Sequence, residues 1–195
     1  MDFSDTQEEA AFREEVRAFL SANADRKSVE NSALPVVDVP QQVARAKAWQ
    51  RKKFAAGLAA LTWPEAFAGR ALPPIFQVIY KQEEEHFLVP SGVFEIGLGM
   101  CIPTLMKHAQ AELAIPYVER AIRGEEIWCQ MFSEPASGSD LAGLQMRAVP
   151  DGDDWIINGQ KIWTSGAHFC DYGVLVTRSD PDVPKHMGLT YFFLT

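Results

Sequence analysis

Two short segments of the sequence carry the residues best suited to bind a ligand. The first, Trp128–Gly143, reads as a strand that ends in a loop dense in serine and glycine. Backbone N–H groups and serine hydroxyls in such a loop can approach a polar or anionic ligand closely. The second, Asn158–His168, reads as a strand with an indole at Trp163, followed by Thr164 and Ser165. An indole can cover a flat heterocycle while a neighbouring hydroxyl bonds to its ring atoms.

The spacing of these residues alone leaves a plainer interpretation open, in which the loop merely turns the chain and Trp163 is a core residue. Three well-known glycine-containing motifs are disfavoured. The Gly97-Leu98-Gly99 run lacks the third glycine of a dinucleotide-binding fingerprint, and no predicted strand precedes it. The run from Gly138 to Gly143 has no lysine after its second glycine, so it is not a phosphate-binding P-loop. Ser139 lies in no Gly-x-Ser-x-Gly elbow, which argues against serine hydrolysis.

The cysteines and histidines do not predict a metal site. Cys101, Cys129 and Cys170 are odd in number, far apart and in no CxxC pair. The four histidines show no HxxxH or HxxE spacing near them. We therefore expect no metal, and free thiols that are buried or half-buried.

Composition and charge exclude several classes of protein. The chain has 195 residues, of which 47% are hydrophobic and 23% charged, which is typical of a globular domain and not of a disordered tail or a rod. The formal net charge of −8 provides no electrostatic surface for nucleic acid or anionic lipid. We see no secretory signal and no apolar run of the ~18 residues that a membrane helix needs, so we expect a cytoplasmic protein. Because the sequence stops on an apolar strand at Leu189–Thr195, we expect a truncated chain.

Helices are predicted in the first two-thirds of the chain. Ser4 and Gln7 have the spacing of a capping box at the start of the first helix. The third predicted helix contains a run of three glutamates, Glu83–Glu85, whose side chains are expected to be solvated or partly paired. The predicted helices cover residues 5–23, the stretch from after Asp38 to Gly57, the stretch from Pro73 onward, 92–109 with a break at Pro103, and 110–123.

The pattern changes after Gly124 to short segments rich in β-branched and aromatic residues. Asp151-Gly152 favours a tight hairpin turn because glycine accepts positive φ. The predicted strands are Gln145–Val149, Trp155–Ile157, Gln160–Thr164, Tyr172–Thr177 and Leu189–Leu194. Strands do not alternate with long helices, so a doubly wound sheet is disfavoured. The predicted fold class is α+β, with an all-helical domain over 1–125 and an incomplete antiparallel β-barrel-like domain over 126–195.

Together the two candidate segments resemble the signature of the acyl-CoA dehydrogenase family. The family's S-E-P-x-x-G-S-D-x-x-G pattern is met by Ser133, Glu134, Pro135, Gly138, Ser139, Asp140 and Gly143. Its N-G-x-K-x-W-[IT]-[ST] pattern is met by Asn158, Gly159, Lys161, Trp163, Thr164 and Ser165. Upstream, Trp63-Pro64-Glu65 resembles a W-P-E-x-x-G-G loop, with Ala68 where glycine is common. The resemblance covers nearly all of this chain but only the first half of a typical member, and it is nearest to an actinobacterial-type branch.

The resemblance implies FAD, held between the β domain and a C-terminal helical domain beyond Thr195. The cofactor-binding residues it implies are Gln130, Phe132, Ser133, Trp163, Thr164 and Ser165. Ser133 would bond the polar edge of the flavin, Trp163 would pack beside its ring, and Ser165 would bond near flavin N5. The sequence departs from the family pattern at Ala136, Ser137 and Gln130, which puts the fine contacts in question.

For the substrate, the resemblance implies an acyl-CoA thioester. Ser139 would contact its thioester or pantetheine region, and the 92–101 segment, with Gly97 and Gly99, would border the acyl pocket. The family's catalytic base is a glutamate beyond Thr195, so the catalytic residue of this protein is unknown from these residues. Glu95 is expected to be a polar helix residue and Glu134 a structural one.

The implied function is α,β-dehydrogenation of an acyl-CoA thioester by an oxidoreductase of fatty-acid or steroid side-chain degradation, with electron-transferring flavoprotein as acceptor. The isolated 195 residues are expected to be inactive. Homo- or hetero-oligomers, dimers or tetramers, are expected for the full-length protein. Two alternatives stay open: a non-catalytic subunit, and another flavoenzyme on the same scaffold, such as an acyl-CoA oxidase, nitroalkane oxidase or flavin monooxygenase.

Overall fold

The computed structural model describes residues 4–194, which divide into two compact units. The helical unit contains the described residues up to Val93 together with His108–Glu125. The sheet unit contains Phe94–Lys107 and the described residues from Glu126 onward. The stretch 94–107 therefore groups with the strands, although the sequence suggests a helical domain that continues to residue 125. A domain boundary near residue 125 stays a prediction for the complete protein.

The described residues form five α-helices. They are α1 (Gln7–Asn23), α2 (Val39–Ala55), α3 (Pro74–Glu84), α4 (Ile102–His108) and α5 (Ala111–Ile122). The capping box of α1 is formed by Thr6 and Glu9, with the Thr6 N–H donating to the Glu9 carboxylate at 2.7 Å. The predicted box at Ser4 and Gln7 was thus wrong by two residues. α2 starts directly after Asp38, as predicted, and the Asp38 carboxylate caps it by accepting from the N–H of Gln41 at 2.8 Å.

Apolar side chains at helical spacing form the core of the helical unit. Phe12, Val16 and Leu20 lie on one face of α1 and are buried. The ring of Phe12 packs edge-on against Phe76 of α3, with 5.1 Å between ring centroids. Two short strands in the same unit, β1 (Asp25–Arg26) and β2 (Phe87–Leu88), pair antiparallel. This core fixes α1 on α3.

Two of the three glutamates in the Glu83–Glu85 run are buried and paired. Glu83 accepts from Arg13 at 2.9 Å and from Arg17 at 2.8 Å. Glu84 accepts from the Tyr80 hydroxyl at 2.8 Å. Because a buried carboxylate is costly without partners, these contacts explain how α3 can direct the charges inward.

The loop after Trp63 holds Ala68, at the position where the resemblance expects glycine, in a conformation that glycine adopts more easily. Ala68 follows the 3₁₀ turn Glu65–Phe67 and has a φ of 56°, in the left-handed region. A non-glycine residue there costs roughly 1–2 kcal/mol of backbone strain. At Gly69 a side chain is excluded, since a β-carbon would come within 2.1 Å of the Trp63 carbonyl oxygen.

Five strands form the sheet of the sheet unit, and β6 is central to it. The strands are β3 (Trp128–Met131), β4 (Arg147–Asp151), β5 (Asp154–Asn158), β6 (Tyr172–Arg178) and β7 (Leu189–Leu194). β4 and β5 form the predicted hairpin, with Gly152 at a φ of 63° in its turn. β7 pairs antiparallel with β6, whereas β3 pairs parallel with it, at Cys129↔Gly173. The sheet is therefore mixed and not purely antiparallel, because the long segment between β3 and β6 allows a parallel return.

The predicted strand at Gln160–Thr164 is wrong. The backbone there forms no ladder with another strand. The Ile162 N–H instead donates to the Ser133 carbonyl at 2.9 Å, and Trp163 has a φ of 58°, which ends any extended run. The segment is a loop that lies along the 132–143 loop.

The segment before α4 is irregular, as the sequence indicates, but the irregularity precedes Pro103. A π-helical turn spans Gly97–Cys101, and the α-helical geometry of α4 starts at Ile102. Gly97 is buried, and a β-carbon there would lie 3.2 Å from the β-carbon of Trp128. The glycine thus lets this turn approach β3 closely. Between residues 4 and 194, no helix combines the length and apolar character that a membrane crossing requires.

Candidate functional site

A cavity of about 240 Å³ lies where the two candidate segments meet. It is lined by Gln130, Phe132, Ser133, Gly138, Leu141, Ile162 and Trp163. Gln130 lies on β3, and Phe132 and Ser133 follow directly where that strand ends. Four of the six residues predicted to hold a cofactor therefore share one cavity.

Trp163 lines the cavity and is not part of the core of the described residues. Its side chain is 86% exposed. Its φ of 58° is left-handed, which is an outlier for a bulky residue. Such strain clusters at functional sites, where the surrounding contacts hold it. The interpretation of Trp163 as a core tryptophan is thus wrong.

Glu134, which is buried, connects the two candidate segments through an ion pair. Its carboxylate accepts from the Lys161 ammonium at 2.8 Å, and both side chains of this ion pair are 6% exposed. It also accepts from the N–H groups of Gln145 at 2.6 Å and Met146 at 2.9 Å. Lys161 further donates to the Phe132 carbonyl at 2.9 Å. These contacts agree with the structural role expected for Glu134.

The charge of Glu134 is stabilised in spite of its burial. Burial alone would raise the pKa of this carboxyl, but the hydrogen bonds from Lys161 and the two backbone N–H groups outweigh it. The pKa of Glu134 is therefore below its ordinary value. A carboxylate with a lowered pKa whose oxygens already accept hydrogen bonds is a poor candidate for a general base.

A network of polar contacts fixes the rest of the 132–143 loop. Ser137 donates to the Asp140 carbonyl at 2.5 Å, and Asp140 pairs with Lys185 at 2.7 Å. The guanidinium of Arg178, at the end of β6, donates to the carbonyls of Ala142 at 2.6 Å and Leu144 at 3.2 Å. Arg178 thus holds the end of the loop against the sheet.

Several predicted residues lie outside this cavity. In the part of the chain that the structure describes, Thr164, Ser165 and Ser139 do not line it. Thr164 is half-buried, whereas Ser165 and Ser139 are exposed. Gly97 packs on Trp128, and a β-carbon at Gly99 would meet no atom within 4 Å. The cofactor and substrate roles of these residues remain proposals.

Sequence reasoning missed part of the site. Leu141 and Ile162 line the cavity, but isolated aliphatic residues in a loop carry no distinguishing pattern. Arg178 was missed as well, although a long cationic side chain at the end of a buried strand could have suggested a bond to loop carbonyls. Among residues 4–194, no group of three or more histidine, cysteine, aspartate or glutamate side chains is placed to hold a metal ion.

Comparison with known families accounts for nearly the whole chain. The family model "Acyl-CoA dehydrogenase, N-terminal domain" matches residues 6–125, and "Acyl-CoA dehydrogenase, middle domain" matches residues 129–195. The chain belongs to the acyl-CoA dehydrogenase family. The resemblance seen in the sequence is thereby confirmed. The predicted α+β fold class is confirmed too, since a helical N-terminal domain is followed by a sheet domain. The sheet is incomplete, as predicted, because within residues 4–194 its strands do not close into a barrel.

Acyl-CoA dehydrogenases of mycobacteria are among its relatives, which confirms the actinobacterial-type branch. IpdE1 of Mycobacterium tuberculosis is 35% identical over 192 residues, covering 96% of this chain and 49% of the relative. FadE34 of the same organism is 43% identical over 138 residues, covering 71% of this chain and 19% of the relative. The chain thus spans about half or less of the length of these relatives.

Several solved structures match all or nearly all of the chain. The "Tcur3481-Tcur3483 steroid ACAD" matches with a TM-score of 0.76 and 26% identity, covering 100% of this chain and 49% of that one. The ChsE4-ChsE5 complex from Mycobacterium tuberculosis matches with a TM-score of 0.74 and 26% identity, covering 99% and 48%. The FAD complex of PigA has a TM-score of 0.76 at 22% identity, a likeness that shows the fold alone.

Proposed function

We propose that the complete protein uses FAD to introduce an α,β double bond into an acyl-CoA thioester. The observation that carries the proposal is the convergence of both signature segments on one cavity, with Trp163 exposed there in a strained backbone conformation. A loop built only to turn the chain would not need to hold an indole in this way.

The residues of the cavity suit the isoalloxazine part of FAD. Phe132 and Trp163 offer aromatic surface, and Ser133 and Gln130 offer polar groups for the edge of a heterocycle. When bound, FAD would accept the hydride that leaves the β-carbon of the substrate. Ligand pockets usually measure ~300–1,000 Å³, so a cavity of about 240 Å³ accommodates only part of so large a cofactor. The proposal therefore places the rest of FAD against other parts of the complete protein.

The residues of this chain would bind and orient FAD and the acyl-CoA substrate. A group outside this chain would remove the α-proton of the substrate. The α-proton of a thioester is weakly acidic, so the base needs a dry site and hydrogen bonds to the thioester carbonyl. Glu134 already forms an ion pair with Lys161, and Glu95 is exposed to water, so neither carboxylate meets this requirement. We accordingly propose a carboxylate that follows Thr195 in the complete protein as the base, and Ser139 as a contact to the pantetheine or thioester region.

The test is to purify the complete protein and record its flavin absorbance before and after adding acyl-CoA without oxygen. The proposal expects bound FAD and bleaching of the flavin by at least one substrate class. Straight-chain fatty acyl-CoA and the CoA thioester of a steroid side chain should be compared, because one of the matching structures is that of a steroid ACAD. A protein that binds no flavin, or whose flavin no acyl-CoA reduces, contradicts the proposal.

The electron acceptor separates a dehydrogenase from an oxidase of the same fold. We propose electron-transferring flavoprotein as the acceptor of the reduced enzyme. Stopped-flow reoxidation by that protein should then be much faster than reoxidation by dissolved oxygen. Rapid reoxidation by oxygen instead would identify an acyl-CoA oxidase or a related flavoenzyme.

A second candidate function is that of one subunit in an assembly of two different chains. The observation that favours it is that two of the matching structures, the Tcur3481-Tcur3483 steroid ACAD and the ChsE4-ChsE5 complex, each pair two differently named proteins. In that case the complete protein would bind FAD or substrate only together with a partner chain of the same family. Co-expression with neighbouring family members, followed by native mass spectrometry, tests this, and an active homo-oligomer would exclude it.

A further inference from the structure

The helical unit contains a cavity of its own, which shares no lining residue with the proposed cofactor site. Its volume is about 360 Å³, and small-molecule sites usually measure ~300–1,000 Å³. Three stretches form its walls: residues 34–37, which precede α2, the positions of Gln42 and Arg45 within α2, and residues 89–93, which follow β2. All three stretches belong to the helical unit, so the cavity does not depend on the sheet unit.

Backbone hydrogen bonds and the core hold the 89–93 wall in place. The short β1–β2 ladder brings the chain to Leu88, directly before this wall. Val89 packs against the apolar core of the unit. The Ser91 N–H then donates to the Val89 carbonyl at 3.0 Å and closes a tight turn. The wall is therefore formed without a ligand, as is usual for small-molecule sites.

Apolar side chains on the walls remain open to solvent. Val36 is fully exposed and Leu34 is 38% exposed. Val37, Val89 and Val93 are half-buried. Single exposed apolar residues are ordinary, but these surround one cavity. Contiguous apolar surface of this kind marks a binding site.

Arg45 supplies the charge of the cavity. It is the one charged residue among those that line it, and it is exposed. Within the described part of the chain, no carboxylate pairs with its guanidinium. Gln42 lies three positions earlier, on the same face of α2, and Ser91 adds a hydroxyl from another wall. One guanidinium with an amide and a hydroxyl matches a single carboxylate, which can accept two parallel hydrogen bonds from arginine.

We propose that this cavity binds a small amphipathic carboxylate, such as a fatty acid of medium length. The apolar chain would lie between the 34–37 and 89–93 walls, and the carboxylate would pair with Arg45. A neutral apolar molecule would leave Arg45 without a counter-charge, whereas a small inorganic anion would leave the valines exposed. A ligand with both parts covers both kinds of surface. The inference concerns the helical unit alone and does not depend on the proposed dehydrogenation.

Isothermal titration of the complete protein with decanoate tests the proposal, with decanol as a ligand of equal length and no charge. We expect decanoate to bind, and Arg45→Gln to weaken its binding about 10-fold, because the bond to the charged group is lost. Decanol should bind equally to the parent protein and to this variant. The matched control is Arg51→Gln, which removes a charge from an exposed position of α2 outside the cavity and should leave decanoate affinity unchanged.

A second pair of variants tests the apolar wall. Val36→Asp places a negative charge beside the ligand, and the fold should tolerate it because Val36 is fully exposed. Decanoate should then show no measurable binding. Val29→Asp is the control, since Val29 is equally exposed but does not line the cavity, and it should bind decanoate like the parent protein.

Three results would overturn the proposal. If the complete protein binds no decanoate, another part of that protein fills the cavity. If Arg45→Gln binds decanoate as tightly as the parent protein, the carboxylate is not at Arg45. If decanoyl-CoA, whose carboxyl is esterified, displaces decanoate completely, the fatty acid occupies the acyl-CoA site instead.

Discussion

At the scale of single residues, Trp163 is exposed and strained, and we propose that it packs against bound FAD. Its indole has little packing to lose, because it is 86% exposed. We expect Trp163→Ala to weaken FAD binding by the complete protein about 3- to 10-fold, since an aromatic pair contributes ~0.5–1.5 kcal/mol. The free energy of unfolding should change by less than about 0.5 kcal/mol. Isothermal titration with FAD and urea denaturation measure the two effects.

Trp155 offers a matched control for that substitution. It is also a partly exposed tryptophan in the same unit, at 42%, but it lies on β5 against Phe192 and outside the cavity. Trp155→Ala should leave FAD affinity unchanged. Equal FAD affinity in the parent protein and in Trp163→Ala would contradict the proposed role of Trp163.

Glu134 and Lys161 form the buried ion pair of the site, and removing one partner should be costly. In Glu134→Gln, the Lys161 ammonium stays buried without its counter-charge, so we expect a loss of about 3–5 kcal/mol of unfolding free energy. The matched control is Asp140→Asn, which breaks an ion pair of similar length whose side chains are 60% and 62% exposed. That exposed pair should contribute less than about 1 kcal/mol. Urea denaturation of both variants at neutral pH measures the difference, and equal losses would contradict the argument.

The same carboxylate makes stability depend on pH in a definite direction. The pKa of Glu134 is lower in the folded protein than its ordinary value of 4.5, so the unfolded chain binds the proton more readily. Its contribution is fully present above pH 4.5 and is lost as the pH falls through the lowered value. Urea denaturation between neutral and acidic pH should therefore show a steeper loss of stability for the parent protein than for Glu134→Gln. Parallel curves would mean that Glu134 is not the group responsible.

At the scale of elements, Arg178 holds the 132–143 loop against the end of β6 by hydrogen bonds. Arg178→Lys keeps the charge but loses the planar set of donors that reaches the carbonyls of Ala142 and Leu144. We expect about 1–3 kcal/mol less protection from hydrogen exchange at the amides of Gly143 and Leu144, because hydrogen bonds to charged groups contribute about that much. Arg147→Lys, an exposed arginine on β4, is the control and should leave this exchange unchanged.

The elements also show what the sequence could and could not predict. Asp38, Gly57 and Asp151-Gly152 mark local boundaries through their own conformational chemistry, and the structure places them as predicted. The prediction of a strand at 160–164 is wrong because the backbone there bonds to a loop that is distant in sequence, which no local pattern reveals. The parallel pairing of β3 with β6 is equally non-local. Of the residues that line the cavity, the family resemblance implied Gln130, Phe132, Ser133 and Trp163, whereas Leu141 and Ile162 are placed only by tertiary packing.

At the scale of the whole molecule, this chain supplies one part of the proposed cofactor site. Its cavity is smaller than FAD requires, and the resemblance places further contacts in a C-terminal helical domain. We expect the 195-residue polypeptide alone to retain little FAD and to show no turnover with acyl-CoA. Gel filtration followed by flavin absorbance measures retention. A stoichiometric flavin spectrum from this polypeptide would contradict the prediction.

The contacts of Glu134 finally have a consequence for the order in which the sheet unit folds. Its carboxylate reaches 11 residues along the chain to Gln145 and 27 to Lys161, on the two flanks of the β4–β5 hairpin. The hairpin is local and closes rapidly, whereas the contacts of Glu134 must wait until both flanks have come together. Substitutions within the hairpin should therefore slow folding, and Glu134→Gln should mainly accelerate unfolding, which φ-value measurements can distinguish. The 132–143 loop would then be the last part of this unit to acquire its native form.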